Sequence, residues 1–319
     1  MKTGIVIHKR SYNYGDDIQS YAAYKLMKEP DLFLDRENLN KVDGDEEIKL
    51  LCNGWFMENP ENWPPADIIK PLFISMHISH NNNADKLMIS KELVSYYKKH
   101  EPIGCRDYHT VKLFEKIGVK AYYSGCLTLT LKNDFGVGER SDEILFVDAF
   151  NKNFPEELRD KYYKQLVPQS VQPRVKFIKH SHNNPNMTDV ERLKSAEQLL
   201  KRYAQAHLVV TSRIHCALPS IAMGTPVLFL DVGFNIKNSR NRFPGITEYF
   251  NQLNNDSFPF SGISPVALLF RRGGLYKYYF NGKKIDFDWD NPPNNPVDIK
   301  PLANTIRKTV NDFFLDKIN

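Results

Sequence analysis

Residues 208–230 contain the pattern that most restricts how this chain can fold. Leu208–Thr211 is a short apolar run rich in β-branched residues, and Arg213–Met223 has helical spacing. Gly224 suits the left-handed position that follows a helix, and Pro226–Leu230 is a second apolar run. A strand, a helix and a strand in so short a span predict a parallel βαβ unit, and therefore an α/β fold.

The same alternation runs through the rest of the sequence. Further strands are predicted over Ile5–His8, Ile48–Cys52, Leu72–Met76, Ile103–Cys105, Lys120–Ser124, Ile144–Val147 and Val175–Ile178. Helices are predicted after Asn13, from Ser90 to Lys99, from Asp107 to Gly118, after Thr188, and over Leu302–Phe314.

Two local patterns add detail to this prediction. Thr188 and Glu191 form a capping box, and the helix that they open is expected to bury a stripe of Val190, Leu193, Ala196, Leu200 and Tyr203. Asn281-Gly282 suits a type I′ turn, so Tyr276–Trp289 is predicted to form a β-hairpin.

The length of 319 residues suits two domains better than one. The polar stretch Lys132–Asp142 separates two sets of strands and helices, so we place the boundary there. This predicts a first Rossmann-like domain over residues 1–135, a second over 136–300, and a closing helix over 301–319.

Composition limits the kinds of ligand and compartment. Lys and Arg number 43 against 38 Asp and Glu, a net charge of +5, which favours anionic ligands or an anionic membrane surface. No basic stripe with interleaved aromatics is present, so nucleic-acid binding is not expected. No CxxC pair, signal peptide or run long enough for a membrane span occurs. A cytoplasmic protein is expected.

Ser212-Arg213-Ile214-His215 joins a predicted strand end to a helix start, where ligands of open α/β sheets bind. The first turn of a helix attracts anions, and Ser212 can cap the helix or bind a phosphate oxygen. Arg213 offers a planar fork to a carboxylate or phosphate, and His215 can transfer a proton near neutral pH. This segment therefore predicts a site for an anionic substrate with proton transfer nearby.

Other candidate binding residues each have a structural alternative. Asn13, Asp16 and Asp17 either bind substrate or begin a capped helix, while His77, His180 and Ser181 follow strand ends. Arg240 either contacts a phosphate or lies on a solvated face. Asp286-Phe287-Asp288-Trp289-Asp290 resembles a metal-binding DxD sequence, but strand alternation alone places acids on one face, and no metal site is expected.

Several segments in order resemble the polysaccharide pyruvyltransferase family. The main one is Val209-Val210-Thr211-Ser212-Arg213-Ile214-His215, which continues to Ala222-Met223-Gly224-Thr225-Pro226-Val227. It is joined by the N-terminal segments Asn13-Tyr14-Gly15-Asp16-Asp17-Ile18-Gln19, Gly104-Cys105-Arg106-Asp107 and Ser124-Gly125-Cys126-Leu127-Thr128-Leu129. The family's commoner glycine-rich segment is here Asn53-Gly54-Trp55-Phe56, so the acceptor side can differ from that of better-known members.

The resemblance implies two Rossmann-like domains that face a cleft, as in the GT-B architecture. It implies transfer of pyruvate from phosphoenolpyruvate to a sugar as a cyclic ketal, with release of phosphate and without a metal or a further cofactor. Arg213 and His215 match the family's active-site R-[IL]-H motif, and Arg106 matches its donor-site arginine. Without the family, Arg106 would be read as a surface residue beside a helix cap at Asp107.

The implied acceptor is a hexose of a bacterial surface polysaccharide or its lipid-diphosphate-linked precursor, which would bring the protein to the inner face of the cytoplasmic membrane. Two alternatives remain at this stage. One is a GT-B glycosyltransferase that uses a nucleotide sugar, and the other is a non-catalytic sugar-phosphate binding subunit of an assembly complex. The residues do not select among acceptor sugars, hydroxyl pairs or oligomeric states.

Overall fold

A computed structural model describes residues 1–136, 138–150, 156–184, 186–231, 243–254 and 287–315. Within them the chain is an α/β protein with two parallel sheets and helices, as predicted, in a Rossmann-like, GT-B-like arrangement. Most of the predicted hairpin lies outside these residues. Its described part, residues 287–289, is not in a strand.

The first sheet has six parallel strands in the order β2-β1-β3-β4-β5-β6. Their bounds are β1 Lys2–Ile7, β2 Leu32–Asp35, β3 Ile48–Phe56, β4 Ile69–Ile78, β5 Ile103–Cys105 and β6 Ala121–Tyr123. The second sheet has five strands in the order β11-β10-β9-β7-β8. Their bounds are β7 Ile144–Val147, β8 Val175–Ile178, β9 Leu208–Thr211, β10 Val227–Asp231 and β11 Asn251–Asn254.

Helices connect these strands. The α-helices are α1 Tyr14–Met27, α2 Ala84–Leu87, α3 Val94–Lys98, α4 Tyr108–Lys116, α5 Glu156–Leu166, α6 Asp189–Gln205, α7 Ile214–Ala222 and α8 Lys300–Leu315. Short 3-10 helices cover Arg36–Lys41, Pro60–Asn62, Asn81–Asn83, Lys91–Leu93, Leu127–Thr130, Gln172–Arg174 and Thr247–Tyr249. The caps expected at Asn13, Asp107 and Thr188 all form, and each side chain accepts a backbone N–H of the first turn.

The predicted stripe of α6 is wrong at one position. Leu193, Ala196, Leu200 and Tyr203 are buried, but Val190 is 53% exposed. The first turn instead buries Arg192, which pairs with Asp17 of α1. Residues two apart lie on opposite sides of a helix, so burial of Arg192 turns Val190 to the outside.

The largest core cluster unites elements of both sheets. Side chains from α1, α6 and α7 pack together in it with Ile306 and Val310 of α8. The closing helix α8 therefore returns to the first half of the chain, where Arg307 donates to the Thr130 carbonyl. Gly125 permits this approach because its φ is +71° and a Cβ there would lie 2.6 Å from Leu302 Cδ2.

Each sheet changes strand order beside its first strand. In the first sheet the chain passes from β1 to β2 on one side and to β3 on the other, and in the second it passes from β7 to β8 and to β9. The loops after these strands leave a crevice at the carboxyl edge, which is where ligands of open α/β sheets bind.

Candidate active site

The N-termini of α1 and α7 meet between the carboxyl edges of the two sheets. The contact is close, because a Cβ on Gly15 would lie 3.1 Å from His215 Cβ. The loops after β1 and β8 also join, through a bridge between Asn13 and Ser181 and a hydrogen bond from the Tyr14 N–H to the His180 carbonyl. The structure thus brings together most of the residues predicted from the sequence.

Arg106 follows β5 and lies at the centre of this junction. Its side chain is buried, with 2% exposure, so the sequence-only interpretation as a surface residue is wrong. Nη1 donates to Gln19 Oε1 at 3.0 Å and to His215 Nε2 at 3.1 Å. Nε has no hydrogen-bond partner within the described part of the chain.

Two other buried arginines are paired differently. Arg36 forms an ion pair with Glu37, and Arg192 forms one with Asp17. Within the described residues, no carboxylate lies within ion-pair distance of Arg106. Buried charges are normally paired, so Arg106 is a cation that lacks an anion.

His215 lies in the first turn of α7. Because Arg106 donates to Nε2, that nitrogen acts as an acceptor and the imidazole is neutral in this state. An anion that drew the guanidinium away would let Nε2 take up a proton. This makes His215 a suitable proton-transfer group.

Arg213 is the N-cap residue of α7 and is held by Asp148, which follows β7. Its Nε and Nη2 donate to Asp148 Oδ2 at 3.1 and 2.9 Å, and the side chain remains 37% exposed. The same oxygen accepts the His180 backbone N–H. Asp148 thus fixes Arg213 while leaving Nη1 for a ligand.

Ser212 does not cap the helix as predicted. Arg213 occupies the N-cap position, and the Ser212 hydroxyl is buried against the carbonyls of Ala149 and Leu230. These two carbonyls use the hydroxyl proton, so Ser212 joins the ends of neighbouring strands.

Asp16 and Asp17 are buried in the first turn of α1. Asp16 accepts from Trp55 Nε1 at 2.9 Å and contacts His8 and Ser11. Burial opposes ionisation of Asp16, but His8 and Arg36 outweigh it and lower its pKa. Asp17 contacts Arg192 and His182, and burial raises its pKa to about 7 against the attraction of Arg192.

His77 belongs to β4 and pairs with the helix cap Asp107. Its Nδ1 lies 2.6 Å from Asp107 Oδ2, and the side chain is buried. Burial would raise the pKa of Asp107, but His77 and the nearby Arg106 lower it to about 2. A carboxylate on one ring nitrogen fixes the orientation of an imidazole, as in acid–base catalysts.

His180 is buried beside Arg213. Nδ1 lies 2.9 Å from the Tyr203 hydroxyl, and Nε2 has no partner within the described part of the chain. Burial lowers the pKa of His180 to about 3, and the charge of Arg213 adds to this effect against the opposing Asp16. His180 is therefore neutral at pH 7.

This pKa makes stability depend on pH. Between pH 6.5 and 3 the unfolded chain protonates His180 and the folded chain does not, so stability is lost as pH falls through this window. At pH 5 the loss amounts to about 2 kcal/mol. We expect His180→Asn, whose amide oxygen can replace Nδ1, to reduce the decrease in unfolding free energy between pH 7 and 5 by that amount. An unchanged decrease, measured by urea titration, would contradict the assignment.

The remaining predicted residues are more peripheral. Asn13 is exposed and caps α1, and Ser181 is exposed and pairs with it through the backbone. Arg240 lies outside the described residues. Asp286 of the DxD sequence does so too, while Asp288 accepts two backbone N–H groups and Asp290 pairs with Arg174.

Sequence reasoning missed Gln19, Asp148 and Trp55. Asp148 follows a predicted strand and has a positive φ of 39°, and its position after the strand is a signal that could have found it. Gln19 and Trp55 stand in segments quoted for the family resemblance, but only the packing of α1 against β3 turns them toward the crevice.

Two features are absent from the described residues. No group of three or more His, Cys, Asp or Glu side chains is arranged to hold a metal ion. In the same residues, no helix is both long enough and apolar enough to cross a bilayer.

Among known proteins, one family is similar to this chain over most of the residues described above. A family model described as polysaccharide pyruvyl transferase matches residues 13–233. No curated protein matches. The solved structure of a functionally uncharacterized protein from Klebsiella pneumoniae subsp. pneumoniae aligns with 79% of this chain and 93% of its own, at 11% identity and a TM-score of 0.44.

Proposed function

Since the chain belongs to the polysaccharide pyruvyl transferase family, we propose that it transfers pyruvate from phosphoenolpyruvate to two hydroxyls of a sugar. The products are a cyclic pyruvyl ketal and inorganic phosphate. The family model covers the chain from the α1 cap Asn13 onward, including Arg106 and the first turn of α7, so the match includes the residues that meet in the crevice.

The observation that carries the proposal is the buried guanidinium of Arg106, whose partners Gln19 and His215 are neutral. Phosphoenolpyruvate has a carboxylate and a phosphate on one small frame, and either would supply the missing anion. Guanidinium groups bind both in bidentate fashion. Arg213 approaches from the second sheet, so the two arginines can hold the two anionic groups and stabilise the charge that develops during transfer.

The transfer conserves protons, because one hydroxyl proton is matched on the ketal and the other on phosphate. One sugar hydroxyl adds to C2 of phosphoenolpyruvate while C3 gains a proton and becomes a methyl group. Phosphate leaves with the electrons of the C2–O bond, and the second hydroxyl then adds to C2. The first hydroxyl proton is matched by that on C3, and the second leaves with phosphate. We assign one of these transfers to His215, which adjoins Arg106.

The acceptor is proposed to lie on the first-sheet side of the crevice. His77, oriented by Asp107, is on β4 next to the strand that carries Arg106, and is suited to contact a sugar hydroxyl. Asn13, Asp16 and Asp17 border the same edge. His180 donates its backbone N–H to Asp148, and Ser212 binds the end of a neighbouring strand. Both residues thereby help to hold Arg213 in place on the donor side.

We further propose a hexose of a bacterial surface polysaccharide, or its lipid-diphosphate-linked precursor, as acceptor. Phosphoenolpyruvate is a co-substrate in this scheme, and no metal or cofactor is required by its steps. A cytoplasmic protein with net charge +5 is suited to approach the anionic inner face of the membrane, where such precursors are anchored.

The test is phosphate release from phosphoenolpyruvate with a panel of lipid-diphosphate-linked and nucleotide-linked hexoses, each offered alone and as part of a longer glycan. Acceptor-dependent release that is lost in Arg213→Ala supports pyruvyl transfer. Binding of a uridine or cytidine diphosphate sugar, with no phosphate released from phosphoenolpyruvate, would instead select a glycosyltransferase. Ligand binding without any turnover would select a binding subunit.

A further inference from the structure

A separate cavity of about 240 Å³ opens at the carboxyl edge of the first sheet, on the side of β2 and away from β5. The loops after β1, β2 and β3 form its walls. Arg10, Glu58, Asn59 and Asn62 are among the side chains that line it. None of them was singled out by sequence reasoning, and the proposed transfer does not use them.

An ion pair and hydrogen bonds inside the protein fix one wall of this cavity. Glu37 pairs with the buried Arg36 and accepts the backbone N–H groups of Glu58 and Asn59. Its own carbonyl accepts from Asn62 Nδ2 at 2.8 Å. These bonds hold the loop after β3 in one conformation, so a ligand meets a preformed surface.

Other polar groups remain for a ligand. Glu58 and Arg10 are exposed, and within the described residues their side chains form no hydrogen bond or ion pair. Asn59 and Asn62 use their amide nitrogens in the wall and keep their oxygens. Carboxylates and amides therefore lie beside a guanidinium in one small space.

This mixture of groups fits sugar hydroxyls. Each hydroxyl donates and accepts, and so matches a wall that offers both acceptors and donors. Acidic side chains among the basic ones disfavour a phosphate. The volume is below the roughly 300–1,000 Å³ of sites for drug-sized ligands, which disfavours a nucleotide and suits a single pyranose ring.

The cavity is too far from Arg106 to hold the sugar that receives pyruvate. In the strand order β2-β1-β3-β4-β5, the end of β5 is two strands from β3 and three from β1. At the usual strand spacing this is roughly 10–14 Å, more than the width of one sugar ring. Polar groups line the interval: His8 borders the cavity and contacts Asp16, and Gln19, one turn later in α1, contacts Arg106.

We propose that this cavity binds a second sugar unit of the acceptor, so that the substrate is a glycan of at least two units and not a single hexose. The inference rests on the proposed function. It assigns to the loops after β1, β2 and β3 the recognition of a neighbouring unit while pyruvate is added at Arg106 and His215.

The experiment is binding of the fluorescently labelled full chain to a printed array of bacterial surface glycans, from monosaccharides to octasaccharides. The variants are Arg10→Ala and Glu58→Ala, whose side chains hold no part of the fold in place. Glu61→Ala is the matched control, because Glu61 is exposed in the adjacent 3-10 helix and does not line the cavity.

We expect the wild type and Glu61→Ala to retain oligosaccharides, and each cavity variant to bind the same glycans about tenfold more weakly. Equal binding by all the proteins, wild-type retention of monosaccharides as strong as that of oligosaccharides, or no retention of any glycan would overturn the proposal. Phosphate release from phosphoenolpyruvate is measured separately. If the glycan profile stands and no phosphate is released, the pyruvyl-transfer proposal fails and the sugar site does not.

Discussion

Arg106→Met is expected to abolish pyruvyl transfer while leaving the protein at least as stable as the wild type. The side chain is buried, and its hydrogen-bond partners are neutral. In the free protein the guanidinium therefore carries a desolvation cost that no ion pair within the described residues offsets, and Asp107 attracts it only at longer range. With donor bound, the same group meets an anion, and its loss should reduce kcat/KM by about 100- to 1,000-fold or more.

The matched control is Arg192→Met, because Arg192 is equally buried but paired with Asp17. Its loss leaves Asp17 and the carbonyls of Lys9 and Ser11 without their common donor and should lower the unfolding free energy by about 3–5 kcal/mol. Urea denaturation of the two variants measures the difference. If Arg106→Met is destabilised as much as Arg192→Met, Arg106 is a structural cation, and its role as donor-binding residue loses its main support.

Four strands of the second sheet, β7 to β10, were predictable because each is short, apolar and bounded by a clear signal. Ile144–Val147, Val175–Ile178 and Leu208–Thr211 have the predicted bounds, and Gly224 has the positive φ of 83° expected after a helix. β2 and β11 were not predicted. Asn251–Asn254 is strand only through its pairing with β10, and no apolar run marks it.

The site was predictable in its parts but not in its connections. Arg213 and His215 lie in one local motif, and Arg106 was found through a family resemblance. Nothing local in the sequence reveals that Arg106 contacts His215, because these residues are 109 positions apart and meet only when α1 and α7 pack. The pairing of Arg213 with Asp148 depends in the same way on β7 and β9 being neighbours.

The Ser212 cap shows why a local rule can fail at such a site. A serine before a helix normally caps it. Here the hydroxyl meets the Ala149 and Leu230 carbonyls at the ends of neighbouring strands, and the helix begins one residue later. Tertiary partners that the sequence does not place near Ser212 determined the outcome.

His215→Gln is expected to reduce turnover by about 100- to 10,000-fold while phosphoenolpyruvate still binds. The Gln amide oxygen can accept from Arg106 as Nε2 does, so the contact that holds the guanidinium survives. An amide does not take up or release a proton near neutral pH, and the proton-transfer step alone is removed. Single-turnover phosphate release measures the chemical step, and calorimetric titration with phosphoenolpyruvate measures donor affinity.

His207→Gln is the control for this substitution. His207 is half-buried and contacts the Trp289 carbonyl, away from the residues that meet at Arg106, so turnover should match the wild type. The two measurements on His215→Gln separate the roles open to that residue. Wild-type turnover would remove His215 from proton transfer. Lost donor affinity with normal turnover at saturation would make it a binding residue. The proton would then have to come from another group, for which we propose His77, held by Asp107 on the acceptor side.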